Sequence, residues 1–143
     1  MIILDTNVIS EAIRPSPDPH VQAWLKMMPR EALFTTVISR AELLYGVALL
    51  PNGRRKSDMK EAVLRILDSG LKGHIIDFDS RCADIFAGIA AQRRQQGMPI
   101  SQADAMIAAI AIARKATLAT RNTKDFQGCG VELINPWEGV QTI

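Results

Sequence analysis

Short apolar runs alternate with longer stretches of helical periodicity along this chain, and that alternation leaves few folds open. Residues 1–4 are apolar at every position and stop at Asp5. A run of that kind suits a strand buried on both faces, as in a parallel sheet covered by helices. Residues 33–37, with β-branched Thr35, Thr36 and Val37, continue the series, as do residues 75–78, 117–120 and 131–134. Between them the spacing predicts helices over 6–13, about 20–28, 41 to about 50 and about 56–68. Two more are expected, one from Asp79 or Ser80 to Gly97 and one from Ser101 to Lys115. Pro15-Ser16-Pro17-Asp18-Pro19, Pro51-Asn52-Gly53 and Gly70 are the breaks. The expected class is α/β, with a central, mainly parallel sheet of about five short strands flanked by helices.

In such sheets the ligand crevice lies beyond the carboxyl ends of the strands. Four acids stand where apolar segments end: Asp5, Glu42, Asp104 and Asp125. Two of them close matching pieces, Ile38-Ser39-Arg40-Ala41-Glu42 and Ile100-Ser101-Gln102-Ala103-Asp104, each of which runs into a long apolar stretch. Ser39 and Ser101 read as N-caps, which puts Glu42 and Asp104 in the first helical turn. The same spacing also describes a capping box, whose acid bonds back to the cap's backbone N–H. Asp5 could likewise cap the helix that follows it. Spacing leaves both roles open for each acid, and their shared placement with Asp5 tilts the reading toward one site.

A length of 143 residues and a hydrophobic content of 48% suit a single domain over 1–143 with one ordinary core. The net charge of +2 is too small to argue for nucleic acid by itself. Arg54-Arg55-Lys56 and Arg93-Arg94 read as solvated helix ends or faces, and His20 and His74 as surface residues. Cys82 and Cys129 lack CxxC spacing, which favours reduced, structural thiols. No basic leader precedes the first apolar run, and the longest one, residues 105–113, falls far short of the ~20 residues of a membrane span. A soluble, cytoplasmic protein is expected. Two helices are apolar almost all round. That carrying Met106, Ile107, Ile110 and Ile112 is expected inside. That of residues 43–50, with Trp24, Leu25, Met27 and Met28 nearby, fits either the interior or a subunit surface.

Five motifs in order resemble PIN-domain ribonucleases, most closely the VapC and FitB type toxins of bacterial toxin–antitoxin pairs. They are Ile3-Leu4-Asp5-Thr6-Asn7-Val8-Ile9-Ser10, Ala41-Glu42-Leu43 followed by Gly46, Ile100-Ser101-x-Ala103-Asp104, Thr120-Arg121-Asn122-Thr123-x-Asp125-Phe126, and Asn135-Pro136-Trp137. The resemblance spans essentially the whole chain. It implies a PIN-like fold and a metal-dependent endoribonuclease whose Asp5 and Asp104 are the principal Mg²⁺ ligands, with Glu42 as the third acid. Thr6 and Asn7 would line the site. Many members carry aspartate where this chain has Asn122, so either Asn122 acts there as a neutral group through water or Asp125 reaches in; Asp125 is read as peripheral. The products would carry 5′-phosphate and 3′-hydroxyl ends.

The resemblance also implies a cognate antitoxin, which alone would contact DNA, and a homodimer. Hard carboxylate oxygens suit Mg²⁺, with Mn²⁺ as a substitute. The rival is a PIN-fold module, disabled by the missing aspartate at 122, that binds RNA or a partner protein without cutting. A receiver domain would want paired acids near the first strand and a lysine after a later one. A dehalogenase-type phosphatase would need aspartate where Asn7 sits.

Overall fold

The computed structural model describes residues 1–139; the last stretch of the expected domain, residues 140–143, lies outside the described residues. Five strands form one sheet: β1 (Ile2–Leu4), β2 (Leu33–Thr36), β3 (Ile75–Ile76), β4 (Thr117–Ala119) and β5 (Glu132–Ile134), in the order β3-β2-β1-β4-β5. Every neighbouring pair is parallel. The expected α/β class therefore holds, with a sheet that is parallel throughout.

The opening apolar run takes the centre because it has two faces to bury. Successive strand residues point to opposite sides, so Ile3 joins Leu118 in one core while Leu4 joins Ala119 in the other. The first core is closed by α5 (Ser80–Gln95) and α6 (Gln102–Ala113). The second is closed by α1 (Thr6–Ala12), α2 (Pro19–Met27), α3 (Val37–Ala48) and α4 (Arg54–Arg65). Helix α6 is interior as expected, with Ala105 and all of residues 107–111 buried. Cys82 and Cys129 are buried and unpaired to each other. No helix among the described residues is long and apolar enough to cross a membrane.

Several expectations are corrected. Strand β2 ends at Thr36, and α3 starts at Val37 rather than after Ser39. Thr36 has the extended backbone of a cap, and its hydroxyl accepts the Ser39 N–H at 3.1 Å. Ser39 is thus a fully buried residue inside the first turn, and Glu42 sits a turn further along than a capping box allows. The expected fourth helix stops at Arg65 and continues as a π-turn over Ile66–Gly70. Strand β3 is two residues long.

Arg93 is not solvated: it is 6% exposed, and its guanidinium donates to the carbonyls of Met98, Asp125 and Gln127 at 2.7, 2.9 and 3.2 Å. Its alkyl stem and planar fork reach from α5 to the segment after β4, which no helical periodicity reveals. His74 is half-buried, stacked on Phe34 with ring centroids 4.2 Å apart, while His20 is exposed as expected. A short α7 (Thr123–Phe126) and a 3₁₀ turn at Pro136–Glu138 were not anticipated.

Candidate active site

The strand order sends the chain from β1 outward through β2 and β3, then back across to β4 and β5. Such a reversal opens a crevice at the carboxyl ends of the two strands where it happens, here β1 and β4. Asp5 follows β1 and Thr120 follows β4. The Asp5 backbone N–H donates to the Ala119 carbonyl at 2.9 Å, continuing the ladder one residue past the strand. The Thr120 hydroxyl then donates to Asp5 Oδ2 at 2.8 Å. Asp5 Oδ1 accepts the Thr6 N–H at 2.7 Å, so Asp5 also caps α1. The structural role and the placement in a crevice coexist.

One cleft is lined by Asp5, Thr6, Asn7, Glu42, Asp104 and Asn122, together with Ser10, Glu11, Arg14, Arg121 and Trp137. It thus brings together three of the four acids read from the sequence. Glu42 comes from α3, and its Oε1 accepts from the Thr6 hydroxyl at 2.6 Å; that hydroxyl lies 2.9 Å from Ser39 Oγ. Ser39 was expected to cap a helix and instead braces the residue that holds Glu42. Asp104 enters from the first turn of α6, where Ser101 is the cap and accepts the Asp104 N–H at 3.2 Å. Asn7 donates weakly to Asp5 Oδ2 at 3.5 Å and accepts the Arg121 N–H at 3.4 Å, tying α1 to the segment after β4.

Electrostatics show how crowded the acids are. Asp5 is 4% exposed, and burial pushes its carboxyl up to about 6 from an ordinary 3.8. The bonds from Thr120 and Thr6 pull it down, and the charges of Asp104 and Glu42 push it up again. The Asp104 carboxyl is raised as well, first by burial, then by the charges of Asp125 and Glu42 against the pull of Ser101. Asp125, read as peripheral, is exposed and does not line the cleft, yet its charge reaches Asp104. Asn122 lines the cleft, and its backbone N–H donates to Thr120 Oγ at 3.1 Å.

Among the described residues, no three Asp, Glu, His or Cys side chains close around a single point. The acids share an open cleft without forming a cage. Mg²⁺ binds through one or two carboxylates and keeps several waters, so an open set of hard oxygens fits it where a closed zinc-type site would not.

Five cleft residues, Ser10, Glu11, Arg14, Arg121 and Trp137, were not read as site residues from the sequence. Glu11 is buried, accepting the Asp18 N–H at 3.2 Å and lying 3.4 Å from Arg14. It stands one helical turn after Asn7, and that spacing was the available signal. Arg121 directly follows the end of β4, where a cleft-facing residue is expected in this architecture.

An α/β domain of this strand order with acids at its switch point has known counterparts. Residues 2–128 match the PIN domain family, and the chain belongs to it. Within that family it is similar to the toxin FitB of Neisseria gonorrhoeae, 42% identical over 137 residues that cover 96% of this chain and 99% of that one. It is also similar to the VapC ribonuclease Y4jK of Sinorhizobium fredii, 38% identical over 96% of this chain and 99% of the relative. Among solved structures, FitAB bound to a DNA fragment matches with a TM-score of 0.90 and 39% identity, covering 99% of each chain.

Proposed function

We propose that this protein is the ribonuclease toxin of a toxin–antitoxin pair and cleaves RNA phosphodiester bonds with a divalent metal ion, Mg²⁺ or Mn²⁺. The observation that carries the reading is the meeting of Asp5, Glu42 and Asp104 in one cleft with Thr6 and Asn7. Two of those carboxyls are raised by burial and by neighbouring acids, a strain that a bound cation would relieve. Names of the relatives support the chemistry, since one is a VapC ribonuclease and another the toxin FitB.

Asp5 and Asp104 would hold the ion, with Glu42 completing the acidic set. When bound, the ion makes a water more acidic and offsets charge at phosphorus. The chain's own contribution is orientation. Thr120 and the Thr6 N–H fix the two oxygens of Asp5. Thr6 engages Glu42 Oε1, which leaves Oε2 to accept a proton or a water. Asn122 brings a neutral amide to the cleft where many relatives would bring a charge.

A small antitoxin is the proposed partner, and DNA would be reached only through it; the matching FitAB structure is a complex on DNA. Beside the cleft, and sharing Thr6, Ser10, Arg14 and Glu42 with it, runs a groove lined by Ile13, Leu43, Val47, Leu50 and Met59. An antitoxin tail lying in that groove would cover the acids as well. Tyr45 on α3 and Leu49 at its C-cap are each 67% exposed, in keeping with a homodimer or partner contact away from that groove. The cytoplasm is the expected compartment.

The test is incubation of purified protein with a panel of tRNAs and structured RNAs in Mg²⁺ or Mn²⁺, beside Asp5→Asn and an EDTA control. Discrete cuts lost in both controls are the expected result. Cuts that survive Asp5→Asn would overturn the metal-site reading, and binding without cuts would point to a module disabled at Asn122.

A further inference from the structure

A cleft lined by four carboxylates, Asp5, Glu11, Glu42 and Asp104, repels the polyanion it is proposed to cut, so the cations at its edge decide how RNA is held. Two cationic residues line it, Arg14 and Arg121. Arg14 is engaged, 3.4 Å from Glu11. Arg121 is exposed, and among the described residues its guanidinium makes no ion pair. What it does make is a cation–π contact: its central carbon lies over the Trp137 ring, 5.2 Å from the centroid.

Both partners of that contact are fixed by the sheet. Strands β4 and β5 are parallel neighbours with Ala119 opposite Ile134, and the Thr120 N–H donates to the Ile134 carbonyl at 2.9 Å. Arg121 and Trp137 therefore leave adjacent strand ends on the same rim. The Arg121 N–H is held by Asn7 Oδ1, and the Trp137 N–H by Asn135 Oδ1 at 2.9 Å. The ring holds the guanidinium at the rim, and among the described residues its N–H donors make no hydrogen bond or ion pair. An arginine held in place with its donors idle, beside a cleft for phosphodiester chemistry, is pre-organised for a phosphate.

We propose that Arg121, held by Trp137, binds an RNA phosphate flanking the bond to be cut and so positions the strand over the acids. This rests on the ribonuclease reading above and adds a residue that the acidic cleft does not supply. Because a flanking phosphate is held alike in ground and transition states, losing Arg121 should weaken binding more than turnover. Lysine keeps the charge but loses the planar, two-pronged donor edge.

The experiment compares wild type, Arg121→Gln and Arg121→Lys in two readouts. One is tRNA cleavage in Mg²⁺, and the other is binding of a fluorescein-labelled single-stranded RNA of mixed sequence in EDTA across a salt series. For Arg121→Gln the expectation is a KM raised about tenfold, kcat within about twofold, and a shallower salt dependence, by about 0.7 in log–log slope. Arg121→Lys should fall between the two. Wild-type KM and salt slope in Arg121→Gln, even with a lowered melting point, would overturn the proposal and leave Arg121 as a structural prop for Trp137. Wild type that binds but does not cut, with weaker binding in Arg121→Gln, would sink the nuclease reading and keep Arg121 as an RNA-phosphate contact without a scissile bond beside it. Wild type that neither binds nor cuts RNA would sink both.

Discussion

Thr120 Oγ donates to Asp5 Oδ2 at 2.8 Å across the seam between β4 and β1, and this bond fixes which way the buried carboxylate faces. It favours the ionised form of Asp5, yet burial outweighs it and leaves the carboxyl at about 6. The central acid of the site is held in place by a bond too weak to make its charge comfortable. That imbalance sets its behaviour with pH and with metal.

In the metal-free protein, Asp5 ionises near 6 when folded and near its ordinary 3.8 when unfolded. Between those values the folded state keeps a proton that the unfolded state has lost, so stability falls as pH rises from about 4 to 6. Below that window both states are protonated and Asp5 contributes nothing; above it the penalty is constant, at most about 3 kcal/mol for a shift of about two units. Asp5→Asn removes the charge. In EDTA near pH ~7.5 it should melt above wild type, with the gap closing near pH ~4. Equal midpoints across that range would show that Asp5 is not strained.

Mg²⁺ should relieve the same strain. An ion that binds only the folded state stabilises it by about 2.7 kcal/mol at a hundred times its dissociation constant. Scanning calorimetry with and without Mg²⁺ should show the midpoint rising above pH ~6 and the rise shrinking below it, where a proton competes for Asp5. Asp5→Asn and Asp104→Asn should flatten the response. An unchanged wild-type midpoint would count against ion binding at these acids.

Arg93 carries a different cost. Its guanidinium serves three carbonyls and lies 3.3 Å from Cys129 Sγ. Arg93→Met keeps the stem and strands three partly buried acceptors, at up to about 1–3 kcal/mol each before solvent relaxation. Urea denaturation should show a loss of about 3 kcal/mol, with Arg93→Lys losing less. A loss under about 0.5 kcal/mol would mean that solvent replaces the guanidinium.

Much of this arrangement was legible in the sequence because local signals agreed with the tertiary outcome. Residues 1–4 are apolar throughout since β1 is buried on both faces, and the Ser101 cap is real. The Ser39 cap was misread because Thr36, three residues earlier, offers the same hydroxyl from a better backbone angle at the end of β2. In the sequence the two serine motifs look alike, and only strand length separates them. Arg93 could not be read at all: its partners are backbone carbonyls, two of them 32 and 34 residues away, and carbonyls leave no trace in a sequence. Glu11 and Arg121 were within reach, one from helical spacing to Asn7 and one from its place after β4.

Asp5 and Thr120 are 115 residues apart, and that separation has a consequence for synthesis. Asp5 is synthesised well before Thr120, and its strand gains β4 as a neighbour only once residues 117–119 have emerged. Contacts so distant along the chain form late and slowly. A nascent chain, or one truncated before Asp104, could carry Asp5 and Glu42 without ever assembling the cleft. The placement of β1 at the centre of the sheet thus ties the activity proposed here to the arrival of β4 and Thr120.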